Sequence, residues 1–393
     1  MTASEFRRLV HNGHGRAIVY ASKHDVSAFR DVILDACLHC YSVDSQTEGT
    51  RAAYMMDLLH TLPERKALIE AVLQSLAGCG DDSDAVQRFR FAAYIAADGH
   101  PGAKGRMYEA FTPGPRHGEE IAGEFVGLDG LDGFLFGAAK VGELLLGEQA
   151  NRVDFGYLIS RGRSALGEDV VARALVESGA RDPCIEAFRL QAEADDAAWR
   201  GQVIPKPPED DLAALALQLE TATDADSQRM ILGKFFNRPF PGNPRLVLDL
   251  AKSTERRLAH AATVVLAQVM HPEVRELAFR LIESRSPSRT FAIALLDRNF
   301  APGDHRIALE WYRAEKDRYV LHSLGRDLMD LWKHHPDAES EPGMLRECYE
   351  RGPCSFCRVR VVRRLAALNL LTPEWREECE WDAGNPLHSD NAG

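Results

Sequence analysis

Cys354 and Cys357 in "CSFC" stand three residues apart, a spacing at which two thiolates can share one soft metal ion or close a disulfide. Cys348 and Cys379 lie near enough in sequence to complete a four-thiolate zinc set, and "CLHC" makes Cys37 and Cys40 a second C-x-x-C pair. Structural zinc sites of the familiar kind bring two such pairs within about 12–20 residues of each other. Here the pairs lie far apart in the chain, so the local set Cys348, Cys354, Cys357 and Cys379 is the metal candidate. A redox role would draw on a Cys354 thiolate stabilised at a helix N-terminus, but no thioredoxin-like β-α-β pattern surrounds it. The chain has eight cysteines in 393 residues. Its N-terminal stretch shows no export signal, so most of them read as reduced, buried, apolar groups in a cytosolic protein.

The histidines and carboxylates have plainer readings. His11 and His14 in "HNGHG" are polar turn residues that could also line a ligand pocket, because two glycines leave room beside two imidazoles. His60, His100 and His271 recur between apolar runs, where imidazole can cap helix carbonyls. Asp129 and Asp132, or Asp81, Asp82 and Asp84, would suit acid–base chemistry only inside a shaped cleft, and their turn contexts point to helix caps. No G-x-S-x-G elbow is present. The seven glycines of 123–147 contain neither G-x-x-x-x-G-K-[ST] nor G-x-G-x-x-G and suit a closely packed helix pair. No catalytic residue and no cofactor is implied, and a non-catalytic role is expected.

Charge narrows the choice of partner. A formal charge of −12 works against non-specific attachment to nucleic acid or to an anionic membrane surface. Basic character is local, in "STERRLAH" and in "FCRVRVVRRL", where Arg360, Arg363 and Arg364 could form a stripe. Trp311, Tyr312 and Trp332 would make good interface anchors if exposed, and otherwise fill the core between helices. No apolar run of about 18 residues marks a membrane span.

The elements that must position these residues are helices. Alternating strand patterns are scarce, while apolar residues at helical spacing recur along the chain, which gives an all-α class. On a helical wheel over 354–368, Val361, Val362, Leu365, Ala366 and Leu368 share a face opposite Arg360, Arg363 and Arg364. Arg358 falls near the middle of the apolar stripe, so it must bury its stem and find a carboxylate or carbonyl partner.

A shift of 40 residues lays "AAYMMDLLH" (52–60) over "AAYIAADGH" (92–100). "LAHAATVVLAQVMHPEVRELAFRLIES" (258–284) has the same small-residue helix, turn and second helix, and "GEDVVARALVESGARDPCIEAFRLQAE" (167–193) is a looser copy. In these stretches the chain resembles the HEAT-like repeat family of armadillo and bilin-lyase (PBS-lyase) type. That resemblance implies a right-handed α-α superhelix, a solenoid of helical hairpins, and carries over no active site. The proline-rich, acidic stretch 196–212 divides it into helical segments 1–195 and 213–382, with 383–393 a loose tail.

The function expected from this architecture is a cytosolic protein-interaction scaffold or adaptor. The alternatives are a HEAT-fold enzyme or binder acting on nucleic acid, as DNA glycosylases of this kind do, a bilin-lyase-like protein, and a metal- or redox-responsive module built on Cys354 and Cys357.

Overall fold

Amphipathic runs broken by glycine, proline and short polar turns fold into helices throughout, and no strand forms among the described residues. The computed structural model describes residues 1–44, 48–147, 153, 156–201 and 211–384. None of the helices among them is long and apolar enough to cross a membrane.

The chain divides into two units. The first contains α1 (Ala3–His11), α2 (Arg16–Lys23), α3 (Arg30–Leu38), α4 (Ala52–His60), α5 (Arg65–Gln74), α6 (Ser83–Ala97), α7 (Ala103–Ala110), α8 (Gly118–Asp129), α9 (Leu131–Leu145), α10 (Tyr157–Leu166), α11 (Glu168–Gly179) and α12 (Pro183–Gly201). The second contains α13 (Asp211–Thr221), α14 (Ala225–Gly233), α15 (Pro244–Leu250), α16 (Arg256–Leu266), α17 (Pro272–Glu283), α18 (Ala292–Asp297), α19 (Asp304–Ala314), α20 (Arg318–His334), α21 (Glu341–Arg351) and α22 (Ser355–Ala367). The last helix, α23 (Pro373–Glu380), packs with the first unit, against α2. The sequence division had placed it in the second segment. Ala383, at the start of the expected loose tail, donates its N–H to Gly13 O at 2.9 Å. Residues 202–210 of the proposed linker and 385–393 of the tail lie outside the described residues.

Within each unit, helices two apart in sequence pack side by side: α4 on α6, α6 on α8 and α8 on α10 in the first, α14 on α16 and α18 on α20 in the second. The stretches read from the sequence as helix pairs, 167–193 and 258–284, fall on α11 with α12 and on α16 with α17. At the start of α17, Pro272 occupies the first turn, where no backbone donor is needed, and Val274, Leu277, Ala278 and Leu281 are buried on one face. Each such side chain removed from water contributes roughly 1.5–3 kcal/mol for the larger apolar groups.

The glycine-rich segment is a helix pair, α8 and α9. A Cβ at Gly133 would fall 1.9 Å from the carbonyl oxygen of Phe125, so glycine here sets the approach of the two backbones. The 40-residue match fares differently. It aligned the whole of α4 with the end of the longer α6, and Tyr54 is buried while Tyr94 is 43% exposed.

Candidate functional site

Helix α22 begins at the C-x-x-C pair. Cys354 is its N-cap, with extended backbone, and its sulfur accepts the N–H of Cys357 at 3.4 Å. The thiol thus takes the place of the hydroxyl or carboxylate that usually satisfies a free N–H in a first helical turn. Cys354 is buried and Cys357 partly buried. Across from them α20 presents His322, whose Nδ1 lies 3.8 Å from Cys357 Sγ. The donor atoms of His322, Cys354 and Cys357 all fall within 4.8 Å of one another.

These three residues line a cavity of about 20 Å³ between α19, α20, α21 and α22. A space of about 10–15 Å³ admits one water, so the open part of this cavity takes one water-sized group. On α20 the wall is His322, Gly325, Arg326 and Met329, an i, i+3, i+4, i+7 face. Arg358 closes another side. It is 1% exposed and donates to Gly352 O at 2.8 Å, the carbonyl partner that its place in the apolar stripe requires. A buried guanidinium and a helix N-terminus both favour the thiolate form of nearby cysteines.

Of the four cysteines grouped by nearness in sequence, Cys354 and Cys357 join the cluster with His322. Cys379 is buried in the first unit, on α23. Cys348 reaches the cavity wall but lies against the Met344 sulfur at 3.7 Å, and burial pushes its thiol up to about 12, so it stays protonated. His322 takes the place of both, and no spacing rule in the sequence pointed to it.

The "HNGHG" imidazoles both have structural partners. His11 stacks on Tyr41 with ring centroids 3.6 Å apart and pairs with Asp35 at 3.2 Å. His14 is buried, and its Nδ1 accepts the N–H of Arg16 at 3.3 Å. The glycines admit α23: a Cβ on Gly15 would lie 1.8 Å from Glu378 O. Arg16 holds Glu378 through two bonds of 2.7 and 3.1 Å, and Lys23 reaches Glu377 at 2.6 Å. The two glycines thus allow the C-terminal helix and the residues just after it to dock closely.

The aromatic anchors are also withdrawn from the surface. Tyr312 and Trp332 are buried, and Trp311 is partly covered, edge-on to Phe279 at 5.2 Å. The arginine stripe is exposed but neutralised in part, Arg360 by Asp330 at 3.1 Å and Arg364 by Glu341 at 2.6 Å. Arg363 is exposed beside them. Of the turn histidines, His271 accepts the N–H of Glu273 and His60 and His100 face carboxylates, so none of these contacts is the carbonyl cap expected. Asp82 caps α6 and Asp81 accepts the N–H groups of Arg116 and His117 at 2.7 Å, in keeping with a structural role.

A second feature is a groove of about 670 Å³ in the same unit, between α14, α16 and the turn Pro287–Phe291. Arg229, Arg256, Arg257 and His260 line it beside Met230 and Phe236, which are 62% and 43% exposed. None of its lining residues is acidic, although the chain carries a net charge of −12. Arg256 and Arg257 are exposed and their side chains make no ion pair among the described residues.

No protein-family model, no curated protein and no solved structure matches the chain, so its residues and their geometry carry the functional reading.

Proposed function

We propose that the chain is a non-catalytic, cytosolic interaction scaffold that captures an acidic, apolar-anchored segment of a partner protein in the groove between α14 and α16. In this reading the helix pairs of each unit are HEAT-like hairpins stacked in a right-handed sense, an arrangement that the side-by-side packing of alternate helices supports. The observation that carries the proposal is the groove's composition: four basic side chains and two exposed apolar ones, with no acid in the lining of an acidic protein. Met230 and Phe236 supply area to bury, and the arginines supply charge complementarity and steering. The nucleic-acid alternative has less support, since Arg360 and Arg364 already have carboxylate partners.

The test is binding of a labelled peptide of glutamates with spaced leucine and phenylalanine, followed by anisotropy. Arg256→Glu together with Arg257→Glu is expected to weaken it by at least about tenfold, and Met230→Ser by less. Unchanged affinity in the double charge reversal, or tighter binding of a single-stranded oligonucleotide than of the peptide, would count against the reading.

A further inference from the structure

We propose that His322, Cys354 and Cys357 bind a thiophilic divalent cation, with zinc the best fit, and leave a fourth coordination position open inside the cavity. The site lies apart from the groove and goes beyond the scaffold reading.

The donor set is the first observation. Two thiolates and an imidazole suit zinc and its chemical neighbours and are poor ligands for magnesium or calcium. A tetrahedral ion with ordinary Zn–S and Zn–N bonds separates its sulfur and nitrogen donors by about 3.6 Å. The 3.8 Å between Cys357 Sγ and His322 Nδ1 is close to that value, and all three donors lie within 4.8 Å of each other. The ligands come from two packed helices, with Cys354 and Cys357 fixed by the first turn of α22, so little rearrangement is needed to bring them onto an ion.

The second observation is independent of the donor set. Tyr312 is fully buried and lines the same cavity, where its hydroxyl has the Cys348 thiol beside it. A Cβ built on Gly325 would approach that hydroxyl to 3.6 Å, so it faces the part of the wall where α20 carries no side chain. A thiol is a weak hydrogen-bond partner for a buried hydroxyl. A water or small anion on the fourth position of a bound ion would give that hydroxyl a stronger partner in a space of about 20 Å³.

Charge gives the site a further character. Two thiolates cancel a divalent ion, and Arg358 adds a buried positive charge at the wall. The open position therefore favours an anionic occupant, hydroxide or a small anion, over neutral water.

The test is cobalt titration of the full-length, reduced chain. One equivalent is expected to give thiolate-to-cobalt charge transfer and the intense d–d bands of a tetrahedral ion, both lost on adding zinc. Cys357→Ser should abolish the charge-transfer signal, and His322→Gln should weaken binding at least about tenfold. Cys354→Ser keeps a good N-cap and is expected to stay folded, so loss of binding in it reports on the ligand and not on the helix. Cys37→Ser should leave the spectrum unchanged. Tyr312→Phe should keep the stoichiometry and shift the d–d bands. The proposal is overturned if the wild type gives no tetrahedral spectrum, if the spectrum survives in Cys354→Ser/Cys357→Ser, or if Cys37→Ser removes it.

Discussion

The two C-x-x-C pairs share a spacing and meet opposite fates. Cys37 lies at the C-terminal end of α3, fully buried, and burial drives its thiol far above the ordinary range. Its companion Cys40 follows the helix, and its N–H is held by Asp84 at 2.7 Å. Cys354 and Cys357 sit at a helix N-terminus, open onto a cavity and face an imidazole. The helix dipole opposes a thiolate at the first place and favours it at the second. A motif's chemistry is thus set by which end of a helix receives it, and spacing alone does not say which.

The comparison can be sharpened first through the helix that supplies His322. Asp327 on α20 is buried, and burial pushes its carboxyl up to about 7 against the lowering effect of Arg326, whose Nε lies 3.4 Å from Oδ1. An acid whose pKa is raised on folding binds more protons in the native state than in the unfolded chain between its two pKa values. Stability therefore falls as pH rises from about 4 to about 7 and then levels off, with a total on the order of 4 kcal/mol. Asp327→Asn should remove most of that decline, read as urea midpoints at about pH 5 and about pH 8. An unchanged decline would mean that the carboxyl is not the group responsible.

In the first unit the expected losses come from packing. Gly15→Ala forces a methyl group onto Glu378 O and should cost about 2–3 kcal/mol while releasing α23 to proteolysis. Cys37→Ser places a hydroxyl in the apolar core and should cost about 1–3 kcal/mol. The smallest effect separates the two motifs. Cys354→Ser in metal-free protein should change stability by no more than about 0.5 kcal/mol in either direction, because serine is a favoured N-cap. Equal losses in Cys37→Ser and Cys354→Ser, compared by chemical denaturation, would erase the distinction drawn between the two pairs.

Much of the architecture was legible in the residues. Period and breakers gave the helical class, Pro272 marked the start of α17, and the apolar stripe of α22 placed Val361, Val362 and Leu365 in the core and forced a partner on Arg358. The failures have a common cause in tertiary context. Cys379 was grouped with Cys354 by nearness in sequence, yet α23 belongs to the other unit. His322 was missed because it lies 32 positions before Cys354 with no spacing rule joining them. The available signal was the face His322, Gly325, Arg326, Met329, a helical stripe too polar and too small to be core. Trp332 and Tyr312 read equally well as anchors or core until their burial was seen.

The most direct test of the divergence between the two pairs is differential alkylation of the reduced, full-length chain with and without one equivalent of zinc, read by peptide mass spectrometry. The account predicts that Cys357 is modified faster than Cys37 in the metal-free chain, and that zinc suppresses labelling of Cys354 and Cys357 while Cys37 and Cys40 are unaffected. Zinc that protects Cys37 and Cys40 to the same degree, or protects neither pair, would contradict it.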